Sequence, residues 1–211
     1  MRSPLQRETY ADVLGRLRSA YDASAADRDT QSKSEWKVAE RRSFLERLKS
    51  EGKSRLLELG AGTGQDSLFF REQGLEVVTT DASPQMVARC RDKGLDAHVM
   101  DFMGLSFAPG SFAAAYALNC LLHVPNADLP AALGAIRTVL EPGALLYIGV
   151  YGGDSFEGVK PNDWHDPPRF FSIRTDDELL QMTAPYFDTV DFHVVENEND
   201  GRFQALTARR L

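Results

Sequence analysis

Across 211 residues, hydrophobic side chains make up 43% and charged ones 26%, ordinary values for one globular domain with a short appendage. A formal net charge of −7 argues against broad binding to a phosphate backbone, which needs concentrated lysine and arginine, so nucleic acid is not an expected partner. No apolar run approaches the roughly 20 residues needed to cross a bilayer, and the first eight residues show no secretory signal. Cys90 and Cys120 are too few and too isolated for a disulfide framework or a zinc site. Both read as small buried hydrophobes, and a reducing, cytoplasmic setting without membrane association is expected.

In chain order, Ser3-Pro4 with Gln6 predicts a capped helix whose apolar face is Tyr10, Val13, Leu14, Leu17 and Tyr21. The polar stretch Asp22–Lys33 is expected to break it. Ser32 with Glu35 predicts a second capping box, leading a helix through Trp36, Phe44, Leu45 and Leu48 to Gly52. From Arg55 the pattern alternates. Arg55–Leu59 reads as a strand, Gln65–Glu72 as a helix stopped near Gly74, and Leu75–Thr80 as a second strand. Ser83-Pro84 starts a helix ending at Lys93-Gly94, followed by strands at Ala97–Met100 and Ser111–Ala117. Asp128–Leu140 carries a helical stripe of Leu129, Leu133, Ile136 and Leu140, and after Pro142-Gly143 comes the apolar strand Ala144–Val150. Helices of this length between strands imply parallel βαβ units and a doubly wound sheet.

The tail is different. Thr175 and Glu178 cap a helix over Asp177–Ala184, and Phe187–Val195 alternates as a strand. Asn199-Asp200-Gly201 signals a turn that returns Phe203–Arg210 as an antiparallel partner. The intervening 151–174 is rich in glycine, proline and aromatics and too long for a plain connection, which marks a functional loop.

Ligands of open parallel sheets bind beyond the carboxyl ends of the strands. The first strand ends at Glu58-Leu59, and Gly60-Ala61-Gly62-Thr63-Gly64 turns the chain into a helix, with glycines that allow tight bending and close ligand approach. A P-loop needs Gly-Lys-Ser/Thr at its end, whereas Gln65-Asp66 follows here. A dinucleotide fingerprint needs its third glycine where Gln65 stands. Glu58 is an awkward neighbour for a pyrophosphate and a favourable one for a ligand with an ammonium and a sulfonium. The loop therefore suits S-adenosylmethionine. Asp81, 21 residues after Gly60, follows the second strand where a carboxylate accepts hydrogen bonds from ribose hydroxyls, and Asp101-Phe102 follows the third, suited to adenine.

These segments resemble the class I S-adenosylmethionine-dependent methyltransferases, in particular their bacterial small-molecule branch. The resemblance covers about residues 56–150 and rests on LLELGAGTG, TTDASPQM, VMDF, YALNCLLHVP and LEPGALLYIGVY in that order. It implies a Rossmann-like α/β sheet of seven strands in the order 3-2-1-4-5-7-6, strand seven antiparallel. Residues 1–52 would be an N-terminal helical lid, 53–211 the methyltransferase domain and 151–174 its substrate loop. Glu58, Gly60, Gly62 and Gly64 would line the methionine side. Asp81 would hold the ribose, with Ala82 and Met86 nearby, and Asp101 and Phe102 would meet adenine. Asn119, Leu121, Leu122 and His123 would border the cofactor near the transferred methyl. Tyr10, Tyr21, Trp36 and Arg41 are candidates for lid contacts or, equally, for helix packing.

Methyl transfer is an in-line displacement in which positioning and desolvation supply most of the catalysis. His98 and His193 lie in predicted strands and read as structural. His165 in the long loop is the candidate base, oriented by Asp163 or Asp166, with Arg169 available for an acidic substrate and Trp164, Phe170 and Phe171 as pocket walls. Asn119 at the fourth strand end, and acidic supplements limited to Asp154 and Asp163, give no support for a metal. The expected activity is methyl transfer to oxygen or nitrogen of a small molecule, with a carboxylate-bearing natural-product intermediate the favoured acceptor. Peptide or protein methylation and a noncatalytic cofactor-binding regulatory domain are the alternatives, and the oligomeric state is not legible.

Overall fold

In β1 (Arg55–Leu59), alternation sends Leu57 and Leu59 into one hydrophobic core and Leu56 into another. That period of two divides the molecule into layers on either side of a sheet. The computed structural model describes residues 8–160, 162–197 and 201–211. After β1 come α3 (Gln65–Glu72), β2 (Glu76–Asp81), α4 (Pro84–Asp92), β3 (Asp96–Val99) and β4 (Phe112–Leu118). A short 3₁₀ turn (Leu121–His123), α5 (Leu129–Val139) and β5 (Leu140–Tyr151) follow. The remainder comprises β6 (Phe156–Val159), β7 (Phe170–Ile173), α6 (Asp176–Thr183), β8 (Phe187–Asn197) and β9 (Gly201–Arg210). Two helices precede β1: α1 (Tyr10–Thr30) and α2 (Glu35–Ser50).

The main sheet has the order β3-β2-β1-β4-β5-β9-β8. The first five strands are parallel, and β9 runs antiparallel to both β5 and β8. This is the expected seven-stranded arrangement, with β8 and β9 as its sixth and seventh strands. Against one face pack α5, through Leu129, Leu133 and Ile136, and α6, through Leu179. Against the other pack α2, through Phe44, Leu45 and Leu48, and α3, through Phe70. Phe44, Phe70, Tyr116 and Tyr147 form a ring cluster there, with the two tyrosines stacked at 4.9 Å. Burying such rings removes large apolar areas from water, at roughly 25 cal/mol per Å².

Local chemistry sets several boundaries. Ser83 caps α4 by accepting from the Met86 N–H, and Pro84 fits the first turn. Thr175 and Glu178 form the expected capping box of α6. The start of α1 is a Thr9/Asp12 capping box; the expected Ser3/Gln6 box lies outside the described residues, as do Asn199 and Asp200 of the expected turn.

Three expectations are corrected. The helix of Tyr10 does not break at Asp22 but continues to Thr30. Ala23, Ala25 and Ala26 favour it, and its polar residues find partners on α4: Asp22 accepts from Ser83 Oγ and the Gln85 N–H, and Asp29 from Lys93. The cap of α2 is Ser34, without a side-chain bond, so the Ser32/Glu35 box does not form. The segment 151–174 is not an irregular loop, since β6 and β7 pair within it as a hairpin. The two N-terminal helices are also unequal. α2 is built into the core, whereas Val13 and Leu17 of α1 pack on Phe170 of β7, above the strand ends.

Candidate active site

β1 pairs with β2 on one side and with β4 on the other, so the connections diverge between β1 and β4. Divergence leaves a crevice at the carboxyl ends of these strands. A cleft opens there, roofed by α1. The glycine loop, Asp81, Asn119 and His123 line it from the sheet side, and Tyr10, Leu14, Leu17, Arg18, Tyr21 and Arg28 of α1 from above.

The glycines have different tasks. All three adopt positive φ, at 62° for Gly60, 57° for Gly62 and 80° for Gly64. A Cβ on Gly60 would lie 2.5 Å from Cys120 Cβ, and one on Gly64 would lie 2.6 Å from Leu95 Cδ1. These two serve tight packing of the loop against its own chain. A Cβ on Gly62 would meet nothing within 4 Å. Gly62 instead donates its N–H to Asp81 Oδ2 at 2.8 Å, while the Ser83 N–H donates to Oδ1 at 2.8 Å. Each carboxylate oxygen thereby accepts one hydrogen bond, which fixes the group in orientation and leaves it further lone pairs for a ligand. Burial raises the Asp81 pKa to about 6, against the pull of these two bonds.

Glu58 is buried and receives a short hydrogen bond from Ser67 Oγ. Desolvation, then the charge of Asp66, pushes its pKa well above the usual carboxylate range. Asp66 takes the neighbouring cations, Lys33 at 2.6 Å and Arg41 at 2.8 Å. Glu58 thus lines the cleft as a carboxylate in want of a positive charge. Nearby, Asn119 sits in the left-handed region at φ 54°, with its Oδ1 buried and without a hydrogen-bond donor. An ammonium fits the unpartnered Asn119 Oδ1 and the Glu58 carboxyl beside it.

Where the two walls meet, Tyr21 O–H lies 2.7 Å from His123 Nε2, and Arg169 donates to the same hydroxyl at 3.0 Å. His123 Nδ1 is 2.7 Å from the carbonyl of Phe170. Since a carbonyl only accepts, Nδ1 carries the proton and Nε2 accepts from Tyr21. Burial lowers the His123 pKa to about 3, so its ring is neutral near pH 7. Asp163 fixes Arg169 with two bonds, at 2.7 Å and 2.9 Å. The chain Asp163–Arg169–Tyr21–His123 ties α1, the 3₁₀ turn and the 151–174 segment together.

Comparison with known proteins agrees with this geometry. Residues 56–143 match the family model for a methyltransferase domain. Over that stretch the chain is similar to a methyltransferase domain. A malonyl-[acyl-carrier protein] O-methyltransferase of Serratia marcescens is 27% identical over 156 residues, 72% of this chain and 56% of the relative. A demethylmenaquinone methyltransferase of Beutenbergia cavernae is 34% identical over 113 residues, 53% of this chain and 46% of the relative. The chain spans about half the length of these curated relatives. A solved 1,6-didemethyltoxoflavin-N1-methyltransferase of Burkholderia thailandensis, with 1,6-didemethyltoxoflavin and S-adenosylhomocysteine bound, superposes with a TM-score of 0.76. It covers 100% of this chain and 93% of its own at 23% identity, a likeness of fold.

Of the site residues expected from the methyltransferase pattern, the structure brings Glu58, Gly60, Gly62, Asp81, Ala82, Phe102, Asn119, His123, Tyr10 and Tyr21 to the cleft. Gly64, Met86, Leu121 and Leu122 lie in the packing around it rather than on its wall. Asp101 is turned to its own loop, where Oδ1 accepts from the Met103 and Gly104 N–H groups. Trp36 packs on Phe203 and Tyr151, and Arg41 binds Asp66.

The substrate-loop residues are redistributed. Arg169 is committed to Asp163 and Tyr21 and is not open to an acidic substrate. Phe170 anchors α1, Phe171 packs 4.9 Å from the His123 ring, and Trp164 is 63% exposed. His165 is buried off the cleft wall behind Tyr21, at 5.5 Å between rings; neither ring nitrogen makes a hydrogen bond, and Nδ1 lies 3.6 Å from Asp163 Oδ1, the carboxylate expected beside it. Burial lowers its pKa to about 4. His98 pairs with Asp96, and His193 with Asp191 and Glu40, all through exposed or half-buried contacts. The cleft also holds residues that the motifs do not name: Arg18, Arg28, Lys33 and Lys37 from the N-terminal helices and their link.

Proposed function

We propose that the protein transfers a methyl group from S-adenosylmethionine to oxygen or nitrogen of a small molecule. The observation that carries this reading is the presence of two carboxylates, buried Glu58 and half-buried Asp81, with an open Gly62 in one cleft beneath α1. When bound, S-adenosylmethionine supplies a methyl on a sulfonium, activated for in-line displacement. Asp81 would accept from the ribose hydroxyls through its further lone pairs. Glu58 and Asn119 Oδ1 would receive the ammonium, and Phe102 would face the adenine. An incoming cation offsets the desolvation of Glu58, so the two stabilise each other.

Catalysis then rests on positioning and exclusion of water beneath α1, which acts as the lid. α1 is latched at Tyr10 N–H to Asp128, at Arg18 to the Ala82 carbonyl, and at Asp22 to the start of α4. A cleft roofed in this way suits a small acceptor better than a peptide. The Tyr21–His123 pair is neutral and its protons are committed, so it orients rather than deprotonates. No general base is assigned. An acceptor whose nucleophile is already unprotonated fits such a site.

Calorimetry with S-adenosylmethionine and S-adenosylhomocysteine tests the cofactor half of the proposal, with micromolar binding of both expected. Folded protein that binds neither ends it. Incubation of small-molecule acceptors with methyl-labelled donor tests the transfer half, and binding without transfer to any of them would favour a regulatory domain.

A further inference from the structure

Every cation on the cleft wall but one has an acceptor among the described residues. Arg18 donates to the Ala82 carbonyl at 3.1 Å and lies 3.8 Å from Asp101. Lys33 pairs with Asp66, and Lys37 donates to the Tyr151 hydroxyl at 2.8 Å. Arg28 has no side-chain hydrogen bond and no ion pair. Its guanidinium lies 5.4 Å from the centroid of the Tyr21 ring, half-buried, on the same wall. From there its charge acts on Tyr21, His123, His165 and Asp81.

A cation in the last turn of a helix ordinarily complements the helix dipole and points to solvent or to terminal carbonyls. Arg28 instead turns inward onto an aromatic face, and no carbonyl accepts from it. Stacking of this kind holds the guanidinium plane while leaving its N–H edge free to donate. Tyr21 is itself fixed by His123 and Arg169, so the platform is rigid. Leu14 and Leu17 add an apolar wall on the same helix.

We infer that Arg28, stacked on Tyr21, is the specificity residue that binds the carboxylate of the methyl acceptor, an apolar monoacid. The planar fork matches two carboxylate oxygens. Asp81 on the same cleft has no cation paired to it among the described residues and would repel a doubly charged phosphate more than a monoanion. The role that Arg169 cannot fill, being held by Asp163, passes to a residue of the lid. This inference rests on the methyltransferase reading proposed above.

The test uses the whole chain saturated with S-adenosylhomocysteine, and follows binding of benzoate, cinnamate and hexanoate by protein NMR. Each acid is compared with its primary amide and with benzyl phosphate. The wild type is expected to bind at least one acid about tenfold more tightly than its amide, the scale of one charge-assisted contact. Arg28→Gln should reduce that ratio to within about twofold, and Arg28→Lys, which keeps charge without the fork, should fall between. S-adenosylhomocysteine affinity should change less than about threefold in either variant, since neither touches the assigned cofactor ligands. Equal binding of acid and amide by the wild type, or binding of neither, overturns the inference. So does tighter binding of benzyl phosphate, a ratio that survives Arg28→Gln, or a tenfold loss of S-adenosylhomocysteine affinity, which would give Arg28 to the cofactor. Failure of the wild type to bind S-adenosylhomocysteine would instead refute the cofactor reading itself.

Discussion

The two walls of the cleft are built on different length scales. The sheet-side wall is assembled from nearby chain: Gly62 reaches Asp81 across 19 residues, and Ser83 reaches it across two. The lid-side wall joins Tyr21 to His123 across 102 residues and to Arg169 across 148. The first wall is held by backbone N–H groups, whose directions follow from the turn. The second is held by side-chain atoms whose meeting requires α1, the 3₁₀ turn and the β6–β7 hairpin to be in place together. A cofactor common to many acceptors suits the first kind of construction, and an acceptor that differs between enzymes suits the second.

Substitutions in each wall should therefore separate cofactor binding from lid stability. The largest effect is expected for Asp81→Ala. It removes the proposed ribose acceptor and also leaves the Gly62 and Ser83 N–H groups without a partner. Two charge-assisted bonds at roughly 1.5–3 kcal/mol each imply a loss of about 100-fold or more in S-adenosylhomocysteine affinity by calorimetry. A loss below tenfold would dissolve the distinction between the walls.

Gly60→Ala comes next, and its effect is on stability. Its Cβ would enter Cys120 at 2.5 Å from a backbone at φ 62°. Overpacking at about 1–3 kcal/mol predicts a fall in Tm of roughly 5–10 °C by calorimetric scan. Gly62→Ala, with open space around its Cβ, should lose only the left-handed backbone preference, about 1–2 kcal/mol.

Tyr21→Phe sharpens the other side. It strands His123 Nε2 and one Arg169 donor inside the protein, at about 1–3 kcal/mol, while leaving every sheet-side acceptor untouched. Chemical denaturation should register that loss, with S-adenosylhomocysteine affinity kept within about threefold. A parallel collapse of affinity would mean that the lid-side wall also holds the cofactor.

The smallest effect at neutral pH is expected for His165→Phe. Neither nitrogen of His165 makes a hydrogen bond and Nδ1 only approaches Asp163 at 3.6 Å, so an apolar ring of similar shape should be close to neutral at pH 7. Its folded pKa of about 4 lies below the unfolded value of 6.5, so the unfolded chain binds the extra proton first. Stability is lost as pH falls from about 6.5 towards 4, by roughly 2 kcal/mol at pH 5 from this ring. Asp81, raised to about 6, works in the opposite direction, since its folded state takes the proton first. The measurement is thus the difference between variant and wild type in urea midpoints at pH 5 and pH 7, with the variant gaining at pH 5.

Much of the architecture was legible because it is local. Gln65–Glu72 was bounded by Gly64 and Gly74, α4 by Ser83-Pro84 and Gly94, and α6 by its capping box, all signals within four residues of their effect. The break expected at Asp22 was misread for the opposite reason. Asp22 and Asp29 look like solvated charges until α4 supplies the Gln85 N–H and Lys93 as their partners. That misreading also hid Arg28, which sits in the continuation of the helix. Arg169 was read as available because the Asp163 carboxylate, six residues earlier, folds back onto it only through the hairpin.

From the sequence alone came the doubly wound sheet, the glycine turn and the acids Glu58 and Asp81 at successive strand ends. Each follows from side-chain periodicity and from backbone freedom over a few residues. Tertiary structure decided which of those groups share one cleft, that α1 covers it, that Arg169 is spent and that Arg28 is open. Those depend on partners that only the folded chain brings together, from Asp163 six residues before Arg169 to Tyr21 148 residues before it, and such pairing is set by packing rather than by local propensity.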